Sequence, residues 1–506
     1  MSNKNIQQSK ITVEKNNVIG RIGQNLFGAF LEHVGRAIYT GIYEPEHPTA
    51  NKDGFRTDVI ELVKELHVPI VRYPGGNFVS GYHWQDGIGN KADRPQRLDL
   101  AWHATETNQV GIDDFAVWAE SVGTDVMPTV NMGTGTPQDA AYLVEYCNHP
   151  SGTYYSDMRV RNGRKEPYRF KHWCIGNEID GGWQIGHLTA EEYGRKARES
   201  AKIMKMVDNS IQVTVAGSAT PEMPTFPEWD RVVLEHTYDL ADYISIHRYY
   251  GYNEKVVTQK DYLHSYLDLE NFIHSVVATA DYVKALKRSS KTMLLSLDEW
   301  NVWHSHSDRK IDTWDSAPHI LENNYSLRDA LVFSGMMLTM INNADRLKMG
   351  CLAQLVNAIA PILTKTGGET LKQTIYYPYM TGCAYAKGEA LKVTVSADSY
   401  ETVYGDAKAV YAAFSHNAQT GEGTLFLLNT SGEENEVTFN LSGFGKLTLV
   451  ERLEFGGQAD LDVKNTFETP SSAVMRSFIE QKPLTQDYRV VLPQYSFNVF
   501  RVKEAF

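Results

Sequence analysis

Between about residue 25 and residue 385 the chain repeats one rhythm. A short apolar run rich in β-branched or aromatic residues is followed by a longer amphipathic stretch. Eight such runs occur: "LFGAFLE", "PIVRYPG", "DVMPTVN", "KHWCIGN", "QVTVAGS", "YISIHRY", "MLLSLDE" and "LKMGCLA". Their spacing leaves room each time for a strand, a helix and two loops. The intervening stretches carry helical signals. "TAEEYGRKARESAKIMKMV" has Thr189 as its N-cap and acids in its first turn. "DLENFIHSVVATADYVKAL" has apolar residues near three- and four-residue spacing. Eight strand-then-helix units predict an α/β fold, a (β/α)8 (TIM) barrel. An open doubly wound sheet fits less well, because no dinucleotide-type glycine loop follows the first run. The Gly-x-Gly in "MGTGTP" follows the third run and lacks a third glycine.

After about residue 386 the rhythm changes. "AVYAAFSHN", "GTLFLLNTS", "NEVTFNLSG", "KLTLVERLE", "YRVVLPQ" and "FNVFRV" are short strands separated by Gly, Asn and Ser turns, with no room for a helix. This predicts a jelly-roll-like β-sandwich. "KITVE" near the start of the chain predicts one more strand, placed to complete that sandwich. The expected division is therefore a barrel over residues 20–385 and a sandwich over residues 1–19 and 386–506.

Composition narrows the function classes. The 506 residues are 42% hydrophobic and 22% charged, as in an ordinary soluble protein. A formal net charge of −13 argues against nucleic acid, which needs basic patches. A neutral sugar fits that balance. The opening "MSNKNIQQSK" is polar and no apolar signal core follows it, so no secretory signal is expected. No run of about 18 apolar residues suggests a membrane span. Cys147, Cys174, Cys351 and Cys383 are scattered without CxxC spacing, which fits a reduced cytoplasm and core packing.

Active sites of (β/α)8 barrels lie at the C-terminal ends of the strands. The run ends supply Glu32 and His33, Arg72 and Asn77, Asn131, Asn177 and Glu178, Ser218, His247 and Tyr249, Glu299 with Trp300 and Asn301, and Gln354. Glu178 ends the fourth run and Glu299 the seventh, so the two carboxylates face each other across the mouth. Glycoside hydrolysis needs such a pair: one acid to protonate the leaving oxygen, one carboxylate to attack or to activate water. Different surroundings can push their pKa values apart. Asp298 precedes Glu299, and strand alternation should turn it the other way. Arg72 and Tyr249 are placed to keep Glu299 ionised. Each residue also has a plainer reading: a lone strand-end glutamate is commonly solvated or salt-bridged, and a neighbouring asparagine commonly caps a turn. His304 and His306 in "WHSHSD" lack a third metal ligand and read as a polar loop. Trp102, Trp300 and Trp303 could equally be core residues or sugar-stacking platforms.

Several stretches together resemble glycoside hydrolase family 51, the intracellular α-L-arabinofuranosidases: "GAFLEHVGRAIYTGIYEP", "VRYPGGNFVSGYHWQDGIG", "WCIGNEIDGGWQIG", "SIHRYYG", "LDEWNVWH" and "CLAQLVNAIAPI". The resemblance covers nearly the whole chain. It implies Glu178 as general acid/base and Glu299 as the nucleophile of a retaining double displacement. It implies Glu32, Asn77, Asn177 and Gln354 as residues holding furanose hydroxyls, and Tyr249 as the hydrogen-bond partner of the nucleophile. It sets Arg72 behind that pair, His247 near the acid/base, and Trp303 and Trp102 as walls of the sugar site. It further implies arabinofuranosyl oligosaccharides as substrates, no metal or organic cofactor, and a homo-oligomer, often a hexamer. Alternatives on the same framework are a β-xylosidase or an endoglucanase, which pocket depth would separate. A non-catalytic sugar-binding protein would have lost one carboxylate. A Schiff-base aldolase would need a lysine at a strand's C-terminal end. Lys348 lies at a strand start instead.

Overall fold

The computed structural model describes residues 6–304, 314–485 and 487–505. Each apolar run forms a strand. In chain order these barrel strands are Asn25–Phe30, Ile70–Tyr73, Asp125–Val130, His172–Ile175, Gln212–Val215, Tyr243–Tyr250, Leu294–Val302 and Leu347–Ala353. Among the described residues each pairs in parallel with the next and the eighth with the first, which closes the barrel. Strands covered on both faces have no water-facing side. This is why the runs read as continuous apolar stretches and not as alternation.

Helices cover the barrel. Ala190–Val207, between the fourth and fifth strands, starts at Thr189, whose hydroxyl accepts from the Glu192 N–H while the Glu192 carboxylate accepts from the Thr189 N–H. That capping box fixes the first turn. Tyr193, Ala197, Ala201 and Met204 then fall on one face and are buried. The helix before the seventh strand spans Tyr266–Leu286 and begins two residues earlier than the periodicity suggested. Among the described residues no helix is long and apolar enough to cross a membrane.

The six strands expected after residue 386 are present at Val410–Asn417, Glu422–Asn429, Asn435–Ser442, Leu447–Gly456, Tyr488–Leu492 and Ser496–Glu504. Two more, Glu389–Ser396 and Arg476–Leu484, join the same sheet. The N-terminal strand Gln7–Arg21 inserts between Glu389–Ser396 and Asn435–Ser442. The continuous sheet curls over itself, so that Phe439 near one edge meets Phe500 near the other, ring centres 5.2 Å apart.

Alternation along these strands serves two cores. Phe414, Leu425, Leu427 and Phe500 fill the curl of the sheet. Ala413, Phe426, Leu428 and Phe497 point the opposite way and join the core shared with the barrel. The helix Leu327–Asn342 lies in that shared core, with an almost wholly buried surface. Thr339 and Asn342 on it hydrogen bond to the Tyr411 hydroxyl, at 3.1 and 3.3 Å. The barrel and the sheet-rich domain are thus packed through one apolar layer without a linker.

Candidate active site

The C-terminal ends of the barrel strands open on a cavity of about 460 Å³. Glu178 and Glu299 both line it. Their nearest carboxylate oxygens lie within 4.8 Å of each other.

Glu299 is 6% exposed and held from two sides. Arg72 Nη1, from the end of the second strand, donates to Oε1 at 2.7 Å. The Tyr249 hydroxyl donates to Oε2 at 2.8 Å. Arg72 is itself fully buried, with its guanidinium 4.7 Å above the Phe30 ring. Its other terminal nitrogen donates to Asn177 Oδ1 at 2.6 Å, and Asn177 reaches Asn77 at 3.3 Å. Arg72 and Asn177 therefore lie one layer below the cavity floor, whereas Asn77 lines the cavity.

Glu178 sits at a strained position. Gly176 has φ +81° and Glu178 itself φ +43°, in the left-handed region that a glutamate rarely adopts. From this bend its carboxylate lines the cavity. His247 Nδ1 lies 2.9 Å from Oε1, and Trp183 Nε1 donates to Oε2 at 2.8 Å. Burial opposes ionisation of Glu178, but the hydrogen bond and charge of His247 outweigh it and hold the carboxyl below its ordinary value. His247 experiences the converse. Burial disfavours its charge, yet Glu299, Asp298 and Glu178 together push it up to about 10. The centre thus sets three carboxylates, Glu178, Asp298 and Glu299, against two cations, Arg72 and His247. That leaves a net negative field where an oxocarbenium-like centre would develop.

A third corner is built on Glu32. Its Oε1 accepts from the Phe78 N–H and from Trp102 Nε1, both at 2.8 Å. Gln354 Nε2 donates to Oε2 at 3.1 Å, while Gln354 Oε1 accepts from the Glu32 N–H at 2.9 Å. A Cβ on Gly76 would stand 2.4 Å from that carboxylate, so a larger residue there would push the Glu32 carboxylate out of this position. Burial, then the charge of Glu299, pushes Glu32 up to about 8 despite these donors. Trp303 closes another wall, its ring edge-on to Tyr249 at 5.4 Å.

Other strand-end residues do not reach the cavity. His33 is held by Glu106 and Tyr73, both at 2.8 Å. Asn131 bonds the Tyr82 carbonyl and Thr134. Ser218 bonds Asp230. Trp300 packs outward against Phe333, ring centres 4.7 Å apart, so it is a core residue. Asn301 secures the carbonyls of Ala353 and Ile359. His304 pairs with Asp329 at 3.1 Å, and His306 lies outside the described residues. Lys348 donates to the Arg21 carbonyl at the strand's start.

The expected orientation of Asp298 is wrong. Alternation should turn it away from Glu299, yet it is buried on the same side. Its carboxylate lies 3.7 Å from Arg72 and 3.5 Å from His247. The cause is local: the register of the seventh strand slips between Ser296 and Glu299 against the sixth, and between Leu297 and Trp300 against the eighth. A bulge there lets two successive side chains face inward. Trp183 also escaped the sequence reading. It sits in the glycine-flanked "DGGW" turn, where a Cβ on Gly181 would meet its ring at 2.5 Å. A lone tryptophan between glycines, five residues after a strand-end glutamate, was the available signal.

Glu178, His247 and Glu299 also present three ligand-type atoms within 4.8 Å of one another. A charged imidazolium bridging two carboxylates has no lone pair for a metal, so the donor set suits proton transfer.

Two family models match the chain: the α-L-arabinofuranosidase 1 domain over residues 62–268 and the α-L-arabinofuranosidase C-terminal domain over residues 298–496. The intracellular exo-α-(1→5)-L-arabinofuranosidase 1 of Bacillus subtilis is 46% identical, across 99% of this chain and all of that one. An exo-α-(1→6)-L-arabinofuranosidase of Bifidobacterium longum is 41% identical across 98% of both chains. The solved structure of a family 51 α-L-arabinofuranosidase from Bifidobacterium longum superposes with a TM-score of 0.92 at 38% identity, covering 98% of this chain and 99% of that one. With such identity sustained over both domains, the chain belongs to glycoside hydrolase family 51, the α-L-arabinofuranosidases.

Proposed function

We propose that the protein is a retaining, exo-acting enzyme that releases terminal non-reducing α-L-arabinofuranosyl residues from arabino-oligosaccharides and arabinoxylan fragments. The observation that carries this reading is the convergence of Glu178 and Glu299 on one cavity, with oxygens within 4.8 Å. Retaining enzymes keep their carboxyl groups about 5–5.5 Å apart, and inverting ones leave room for a water between them. Glu299, gripped by Arg72 and Tyr249, is the nucleophile that attacks the anomeric carbon and forms a glycosyl ester. Glu178 protonates the departing glycosidic oxygen, then takes a proton from the water that opens the ester. Glu32, Asn77 and Gln354 hold the furanose hydroxyls, with Asn177 and Arg72 fixing the floor beneath them. Trp102 and Trp303 wall the ring.

The exo mode is supported by the relatives, whose names from Bacillus subtilis and Bifidobacterium longum both designate exo-acting enzymes. Relatives are named for α-(1→5) and α-(1→6) bonds, and α-(1→5) is the linkage in the name of the B. subtilis enzyme. The free, buried cysteines and the intracellular designation of that relative support a cytoplasmic site of action on short oligosaccharides. The reading includes a homo-oligomer, a hexamer by family resemblance, whose mass light scattering would give.

The test is hydrolysis of 4-nitrophenyl α-L-arabinofuranoside by wild type and by Glu299→Ala, with and without azide. Wild type is expected to be active, the variant inactive, and azide to restore turnover with a glycosyl azide of inverted configuration. Wild-type activity confined to a β-xyloside or a glucan would move the substrate assignment. Near-full activity of Glu299→Ala would displace the catalytic pair.

A further inference from the structure

We propose that Asp298, acting with Ser245, is a positioning residue that fixes which nitrogen of His247 can exchange a proton and thereby keeps in place, between His247 and Glu178, the proton that Glu178 delivers to the leaving group. The inference rests on Glu178 being the acid of the proposed reaction.

The geometry is specific about protons. Ser245 precedes His247 by two residues on the sixth strand, so both face the barrel interior. The Ser245 hydroxyl donates to Asp298 Oδ1. Its oxygen, 3.2 Å from His247 Nε2, is then left to accept. Asp298 Oδ1 is itself 3.5 Å from the same nitrogen. The other Asp298 oxygen accepts the Cys174 thiol at 3.3 Å, and Arg72 Nε stands 3.7 Å away. Each of these polar neighbours of Asp298 is therefore a donor or a cation. Burial opposes its ionisation, but Arg72 and His247 win and hold it at about 2. An ionised Asp298 that captures the serine proton leaves His247 Nε2 one role, that of donor.

With Nε2–H fixed, only Nδ1 can exchange a proton. It lies 2.9 Å from Glu178 Oε1 and 3.5 Å from Glu299 Oε2. The groups facing His247 are Glu178 and Asp180 beyond the fourth strand, Asp298 and Glu299 on the seventh, and Ser245 and Tyr249 on its own. Arg72 lies behind the seventh-strand pair. The Glu178–His247 pair then shares one mobile proton. In the first step Glu299 bonds to the anomeric carbon, the glycosidic C–O bond breaks with its electron pair going to the leaving oxygen, and that oxygen takes the shared proton through Glu178. In the second step a water oxygen bonds to the same carbon, the ester bond returns its electron pair to Glu299, and the water proton restores the shared position. The charge of Asp298 makes that position retain its proton at neutral pH.

Asp298→Asn keeps the shape and removes the charge; Ser245→Ala keeps the charge and removes the link. The measurement is kcat/KM against pH for wild type and both variants on phenyl and dinitrophenyl α-L-arabinofuranosides. Dinitrophenolate departs without a proton and phenolate does not. Asp298→Asn is expected to lose about 100-fold on the phenyl glycoside and about threefold or less on the dinitrophenyl one. Its alkaline limb should move to lower pH by about one unit or more. Ser245→Ala should show the same selectivity at about tenfold, and it decides the matter if Asp298→Asn does not fold. Equal losses on both substrates, with the alkaline limb unmoved in an active wild type, would overturn this proposal alone. A wild type inactive on every arabinofuranoside would overturn it together with the functional reading.

Discussion

Glu178 and Glu299 are the same residue type at the same kind of place, yet the barrel surrounds them differently. Glu299 extends from a bulged strand into a buried grip, with a guanidinium on one oxygen and a phenol on the other. Glu178 hangs from a left-handed turn, with a titratable imidazole on one oxygen and the indole of a half-exposed tryptophan on the other. The two groups that hydrogen bond to Glu299, a guanidinium and a phenol, keep their protons across the working pH range and act as fixed donors. The Glu178 partners include a group that can hand over a proton. The difference teaches how one barrel can give a single side chain two unlike environments, as the proposed nucleophile and acid require. The contrast lies in the proton inventory of the neighbours, not in the depth of burial.

The strongest way to break this comparison is to remove each carboxylate in turn. Glu299→Ala should lower kcat/KM by at least about 10⁴-fold whatever the leaving group, because no ester can form. Glu178→Ala should lower it by about 10²–10⁴-fold on a phenyl glycoside and by less than about tenfold on a dinitrophenyl one. A Brønsted plot of kcat/KM against leaving-group pKa checks this. It should be steep for Glu178→Ala and parallel to wild type for any residual Glu299→Ala activity. Reversed slopes would exchange the two roles.

Much of this architecture was legible because the physics was local. A strand buried on both faces must be continuously apolar, so all eight runs could be counted, and the polar residue ending each run marked the mouth. What stayed hidden was decided by tertiary context. Asp298 was expected to face away because alternation is a property of a regular strand, and nothing in "LSLDEWN" announces the bulge that cancels it. Trp300 and Trp303 are three residues apart and equally aromatic. Only the placement of Phe333 and the helix carrying it makes the first a core residue and leaves the second on the cavity. The strand Arg476–Leu484 was missed because it is an exposed edge, charged and carrying Pro483, and edge strands are built to look unlike strands. Glu389–Ser396, an interior strand, was missed on other grounds. It does carry alternation, since Leu391, Val393 and Val395 all face the core inside the curl, but only Leu391 of the three is fully buried.

A gentler probe sharpens the contrast on the Glu299 side. Tyr249→Phe removes one charge-assisted hydrogen bond from Glu299 and leaves the Arg72 pair. The expected loss in kcat/KM is about 10–100-fold, the range for a hydrogen bond to a buried charged group. It should be uniform across leaving groups. A loss concentrated on poor leaving groups would mean that Tyr249 serves Glu178 instead, and the two environments would not be separate.

The smallest effect is expected on the Glu178 side. Trp183→Phe keeps an aromatic face at the rim but removes the N–H that donates to Glu178 Oε2 at 2.8 Å. In wild type that bond favours the carboxylate over the acid, so it opposes proton retention by the Glu178–His247 pair. Its removal should move the alkaline limb of kcat/KM slightly to higher pH, by a few tenths of a unit, while changing the maximal value about threefold or less. Trp183 is 55% exposed, so water screens the bond and can replace it. The sign is the informative part. Asp298→Asn and Trp183→Phe both touch the acid's proton, one from below through His247 and one from the rim, and should displace the same limb in opposite directions. If both move it the same way, the proton is not held between Glu178 and His247, and the difference between the two strand tips has another cause.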